Sequence, residues 1–227
     1  MVVVALLLGC DSVAEDDDGL VSWAGYVYMD VNAPGEERLA EGNVTFWPAP
    51  FLADAQLAAE QPYEDYAGYY EVRVEPAGST LVRITSELTR PTVWAGDAPQ
   101  VDGNWLSGAL FGVTDVWIED LFDPLMGDGD AWVDVARRDE VLVIGRPLND
   151  AVECQHITIA AADGEHRPPC WLEDDEGVAV VVTSGPISWF ASSAAPGEVV
   201  VSWLDASEAY QADGGDVIMA WYLTGPS

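Results

Sequence analysis

The sequence predicts an all-β chain: two tandem β-sandwiches, with one short helix in the segment that connects them. Three observations predict it. Short runs rich in Val, Ile, Tyr, Phe and Trp alternate with charged residues, as half-buried strands do. Clusters of Gly, Pro, Asn and Asp punctuate these runs. The order of strand and turn signals in the first half then returns in the second, which suggests a duplicated unit.

In chain order, Val21–Met29 is the first strand and Asn32-Ala-Pro-Gly35 the turn that follows it. Glu41–Trp47 is the next strand, stopped by Pro48 and Pro50. Phe51–Glu60, rich in Ala and Leu, is expected as a short helix or loop bridging two edges. Tyr70, Val72 and Val74 alternate with Glu71, Arg73 and Glu75, which puts apolar groups on one face and charges on the other. Pro76-Ala-Gly78 turns the chain into Leu81–Ile84. In the second half Glu140–Gly145, His156–Ile159, Val178–Val182 and Glu198–Trp203 repeat the same order. Gly68, Gly78, Gly177 and Gly197 are expected to supply the positive φ that a chain reversal needs. Between the repeats, Val113, Val116, Trp117 and Leu121 fall at helical spacing, with Thr114 placed as N-cap. Ala131–Val135 is expected as a strand completing the first sandwich.

Four motifs of the first half have a known parallel. Gly25-Tyr-Val27, Gly42-Asn-Val-Thr-Phe46, Asp65-Tyr-Ala-Gly68-Tyr-Tyr70-Glu-Val72 and Pro76-Ala-Gly78-Ser-Thr-Leu81 resemble, in that order, the carboxypeptidase regulatory-like domain. That family has a transthyretin-like β-sandwich. The chain departs from it in the long insertion Phe51–Pro62 and in lacking an aromatic residue after Gly177. The resemblance implies two transthyretin- or Ig-like scaffolds, non-catalytic modules of secreted or outer-surface proteins that present loops or act as spacers.

The N-terminus supplies an address. Leu7-Leu8-Gly9-Cys10, closing the apolar run from Val2, resembles a bacterial lipobox, at which a precursor is acylated on cysteine and cut before it. The resemblance implies lipidation of Cys10, a signal peptide over residues 1–9, and localisation in the bacterial cell envelope, on its periplasmic or outer-surface side. Residues 10–19 are acidic and polar, as a tether should be. The first sandwich is expected over residues 20–95, extending to about residue 138; residues 96–138 are the connecting segment and 139–227 the second sandwich.

Forty acidic residues face eight basic ones, all Arg, for a net charge of −32. That balance excludes nucleic acid and anionic headgroups as partners and leaves the membrane, reached through the lipid, and an envelope protein or glycan. The bland reading of the acidity is a solvated, salt-tolerant surface; the sharper one is cation binding. At 49% hydrophobic with ten Trp, the chain still has the material for real cores.

Candidate site residues follow from these classes. Cys154 and Cys170 are expected as a disulfide, contributing roughly 3 kcal/mol. The competing arrangement adds His156 and His166 to make a Cys2His2 metal site. Asp123, Asp128, Asp130 and Asp134, interleaved with Gly127 and Gly129, are candidate ligands for Ca²⁺, which takes roughly 6–8 oxygens; no other cofactor is implied. Trp94, Trp105 and Trp132 lie in or near Gly- and Asp-rich sequence and are candidates to stack on sugar rings, whereas Trp23, Trp47, Trp189 and Trp203 lie in strand-like runs and belong in cores. No Gly-x-Ser-x-Gly elbow or His-Glu-x-x-His occurs, so the expectation is a non-enzyme acting as a structural or interaction module, with glycan or Ca²⁺ binding as the alternative.

Overall fold

The computed structural model describes residues 19–30, 38–39, 41–48, 59–62, 68–74, 79–97, 109–126, 129–147, 151–173 and 179–223. In chain order the first half gives β1 (Val21–Met29), β2 (Asn43–Pro48), β3 (Ala59–Pro62), β4 (Tyr69–Val74), β5 (Ser79–Thr85), β6 (Thr92–Asp97) and β7 (Ala109–Gly112). Two helices follow, α1 (Asp115–Met126) and α2 (Gly129–Arg137). The second half gives β8 (Val141–Pro147), β9 (Ile157–Ala161), β10 (Gly164–His166), β11 (Cys170–Glu173), β12 (Ala179–Val182), β13 (Trp189–Ala194), β14 (Gly197–Trp203), β15 (Ala206–Ala212) and β16 (Val217–Leu223). The protein is mostly β, as the periodicity predicts.

The strands form a nine-stranded sheet, β12-β11-β13-β8-β16-β6-β5-β2-β3, and two smaller sheets, β4-β1-β7 and β10-β9-β14-β15. The expected pair of separate sandwiches is thereby corrected. The C-terminal strand β16 lies between β8 and β6, parallel to both, so it joins the strands of the second half to those of the first. Sequence repetition shows what each half contains, but it carries no information about which edge strands meet.

Side-chain alternation sorts the nine-stranded sheet into two faces. On one face Val82, Trp94, Leu142, Ile144, Trp171, Trp189 and Met219 meet β1, β4, β7 and the two helices in one apolar cluster. On the other, Leu81, Val93, Val141, Val143, Phe190 and Ile218 meet β9, β14 and β15 in a second. The centre strands are therefore buried on both sides, which explains why β8 has a nearly continuous apolar sequence. Each fully buried Val, Ile or Phe contributes roughly 1.5–3 kcal/mol.

Gly68, in the Asp-x-x-Gly motif, has φ +86°, and a Cβ there would lie 2.6 Å from the Val27 carbonyl oxygen. Its own carbonyl accepts from the Val27 N–H at 2.7 Å, so Gly68 continues the pairing of β4 with β1. Gly197 also has positive φ, while Gly78 and Gly177 lie outside the described residues.

Three local expectations are corrected. Ala131–Val135 lies within α2 and is no strand; Val133 enters the core and Trp132 packs on it, a pairing that alternation over so short a run cannot tell from a helical turn. Val116 is 64% exposed, and the buried stripe of α1 is Trp117, Ile118 and Phe122. Residues 51–58 lie outside the description, but Ala59 and Glu60 belong to a strand that pairs with β2. Thr114 caps α1 as expected: its Oγ1 accepts from the Trp117 N–H at 3.1 Å.

Candidate functional site

At the C-terminal end of β1 a cleft of about 670 Å³ opens between the β5–β6 connection and the start of α1. Asp30, with φ +61°, leaves β1 there. Its two carboxylate oxygens accept from the Thr114 N–H and hydroxyl, both at 2.8 Å. A carboxylate at a helix N-terminus meets unsatisfied N–H groups and the positive end of the dipole, so this contact locks β1 to α1. Asp115, the next residue, accepts from Arg90 Nε at 2.6 Å and from Arg137 Nη2 at 2.9 Å. Burial acts upward on the Asp115 carboxyl, but the hydrogen bonds from Arg137 and Arg90 outweigh it and hold it below the usual carboxylate range.

Glu87, Leu88 and Val116 complete the rim, and Leu88 is 61% exposed. The arrangement holds charge. Asp115 is ionised and doubly paired, and the Thr114 hydroxyl is engaged in a cap. Neither His nor Cys lines the cleft. The cleft therefore acts as a clasp between sheet and helices, with an apolar lip.

A second cluster holds the β15–β16 turn. Asp216 is almost fully buried; its carboxylate accepts from Arg83 Nη2 at 2.7 Å and from the Asp213 N–H at 2.9 Å. Asp213 takes the other Arg83 nitrogen at 3.1 Å. Burial pushes the Asp216 carboxyl up, opposed by the Asp213 N–H and by Arg83.

All eight arginines are engaged within the chain. Arg83, Arg90, Arg137 and Arg138 pair with aspartates. Arg38 and Arg146 lie over Tyr26 and Trp189, and Arg73 and Arg167 donate to the Leu20 and Gln155 carbonyls. Sequence reading missed the Asp30–Asp115–Arg90–Arg137 group. Its available signal was the scarcity of Arg: in a chain this acidic, each cation marks a place where carboxylates are drawn inward.

The candidates from the sequence fare differently. Cys154 and Cys170 form a disulfide with Cα atoms 5.7 Å apart. His156 Nδ1 accepts from the Glu153 N–H, and His166 pairs with Asp163, so neither histidine joins the sulfurs. Trp94 is corrected as a sugar platform: it is 4% exposed and its Nε1 donates to the Phe111 carbonyl at 3.0 Å. Trp132 is partly buried and stacks on Phe122 with ring centroids 4.9 Å apart. Trp105 lies outside the described residues. Trp23, Trp189 and Trp203 are core residues, and Trp47 packs at the margin of the second cluster.

Of the calcium candidates, Asp134 pairs with Arg137 and Arg138 on α2. Asp123 and Asp130 fall within the two helices, where a run of neighbouring loop carbonyls is unavailable. Asp128 lies outside the description, as does Cys10. Among the described residues no group of His, Cys, Asp or Glu could hold a metal ion, and no helix is long and apolar enough to cross a membrane.

No protein-family model matches the sequence, and no curated protein does. Among solved structures the chain is similar to the Bacillus anthracis TIE protein, at 11% identity and a TM-score of 0.29, over 88% of this chain and 33% of that one. It is similar also to GBS52, the minor pilin of Streptococcus agalactiae, at 8% identity and 0.24, over 90% and 97% of the two chains. The major pilin of Streptococcus pyogenes matches at 7% identity and 0.21, over 91% and 99%. The chain thus spans a third of the TIE protein.

Proposed function

We propose that this chain is a non-catalytic envelope lipoprotein, anchored through acylated Cys10, whose rigid β-body serves as an interaction module. The observation that carries the reading is that all eight arginines are engaged within the chain, four by aspartates, two over aromatic rings and two by carbonyls. Cations that would otherwise stabilise an anionic substrate or transition state are committed to the fold, and an acidic surface is left to face partners. The positive φ of Gly68 is what the carboxypeptidase regulatory-like resemblance of the first half calls for at that position. The alternative, a glycan- or Ca²⁺-binding module, would rest on Trp105, Trp132 and Asp128, since Trp94 is buried and Asp134 is paired with Arg138.

Metabolic labelling with radioactive palmitate tests the anchor. The account expects label in the wild-type chain and none in Cys10→Ala; a wild-type chain that takes up no label removes the lipoprotein reading.

A further inference from the structure

A sheet edge offers unpaired backbone N–H and C=O groups, and proteins blunt such edges with charge, proline or a covering group. The three sheets end in β12, β3, β4, β7, β10 and β15. Five of the six are blunted in this way. β3 carries Glu60 and Pro62, β4 carries Glu71 and Arg73, β10 carries Glu165 and His166, and β15 carries Glu208. On β7 the Phe111 carbonyl accepts from Trp94. β12 is different: its sequence is Ala-Val-Val-Val, without charge or proline.

β12 pairs with β11 along Ala179–Val182, and alternate residues direct their backbone groups away from it. Ala179 packs against one core cluster and Val182 against the other, while Val180 and Val181 are 42% and 59% exposed. The outermost strand thus keeps one residue under each cover, with α1 beside it, while the two valines between them reach solvent. Two of the four large apolar side chains exposed among the described residues are on it.

We propose that β12 accepts a further strand, an extended run of β-branched residues flanked by Lys or Arg, from a basic partner protein. Main-chain hydrogen bonds and the two exposed valines would supply the contact. Charge selects the partner. A second copy would bring a net charge of −32 against −32, and Glu173, exposed at the end of β11 opposite Ala179, adds a carboxylate beside β12. The inference deepens the interaction-module reading and is independent of the lipid.

The test uses the full chain carrying Cys10→Ala and a fluorescent peptide, KVTVTVK, followed by anisotropy. Saturable binding is expected, about tenfold weaker for the glutamate-flanked peptide EVTVTVE and several-fold weaker when salt rises from about 50 to 300 mM. Val181→Lys should lower affinity at least about tenfold with an unchanged melting temperature, since the position is exposed. Ser207→Lys, on the β15 edge, should leave binding as it is. Three results overturn the proposal: no saturation with any peptide up to millimolar concentration, equal loss in Val181→Lys and Ser207→Lys, or self-association in sedimentation that Val181→Lys abolishes without peptide binding. If palmitate labelling fails while the peptide binds, the anchor falls and the edge stands.

Discussion

The two faces of the nine-stranded sheet are covered by different means. One face meets a three-stranded sheet and two helices through large aromatics: Trp23, Phe46, Tyr70, Trp94, Trp117, Phe122, Trp171 and Trp189. Rings meet edge to face, as Trp117 does Trp189 and Phe122 does Trp171, with centroids 5.8 and 5.4 Å apart. The opposite face meets a four-stranded sheet mainly through Val, Ile and Ala, with the Cys154–Cys170 disulfide inside that cluster. Sheets on sheets stack at near-constant spacing and suit branched aliphatic residues. Under the helices Trp117, Phe122 and Trp132 fill the gaps that helices leave on a sheet, and Trp23, Phe46, Tyr70 and Trp94 fill the space beneath the three-stranded sheet.

This contrast can be tested by substitution. The largest effects should come from the aromatic face by deletion and from the aliphatic face by insertion. Trp189→Ala should cost about 4 kcal/mol in urea denaturation, by removing a fully buried ring. Gly145→Ala should cost about 3 kcal/mol, because the added methyl would sit 2.1 Å from the Phe190 ring atoms on the opposite face. Equal tolerance of Gly145→Ala and a surface substitution would contradict the close packing of that face.

Reduction of the disulfide, or Cys154→Ser with Cys170→Ser, should cost about 3 kcal/mol. Because both sulfurs lie in the aliphatic cluster, hydrogen exchange should rise first in β9, β14 and β15 and leave α1 and α2 protected. Uniform loss across both faces would show that the bridge is not local to one layer.

The two arginine-paired carboxylates should respond to pH with opposite signs. Asp115 has a folded pKa below the ordinary 3.8, so its contribution is present above that value and is lost as pH falls through the lower folded value. Asp115→Asn should thus be less stable than wild type at pH 6, and the gap should close in strong acid. Asp216 has a folded pKa above 3.8, so its protonated form suits the fold and its contribution declines as pH rises through 3.8 toward the folded value. The stability of wild type relative to Asp216→Asn should therefore decline as pH rises above 3.8. Urea midpoints measured across pH for both variants decide this; slopes of the same sign would be wrong for the account.

The smallest effect belongs to Val116. Val116→Ser should change stability by less than about 0.5 kcal/mol, while the buried neighbour Ile118→Ala should lose about 3 kcal/mol.

These positions also show what the sequence made legible. Strand periodicity located β1, β4, β5 and β14 closely, because alternation is a local signal. The N-cap at Thr114 and the reversal at Gly68 were equally local, each being a backbone requirement met by one residue type. The union of the halves was not legible. It depends on β16 entering between β6 and β8, a pairing across most of the chain. A hint was present in Glu140-Val-Leu-Val-Ile-Gly145, whose unbroken apolar run marks a strand buried on both faces. The clasp at Asp30 and Asp115 was hidden for the same reason: its members come from β1, the β5–β6 connection and two helices, and no short spacing brings them together.

The joined sheet is most directly tested by fluorine NMR on the chain labelled with 5-fluorotryptophan, followed through a urea titration. The two halves share β16, so the resonances of Trp23 and Trp47 should disappear at the same urea concentration as those of Trp171 and Trp203. If the first pair is lost while the second remains native, the halves are separate folding units and the single sheet is wrong.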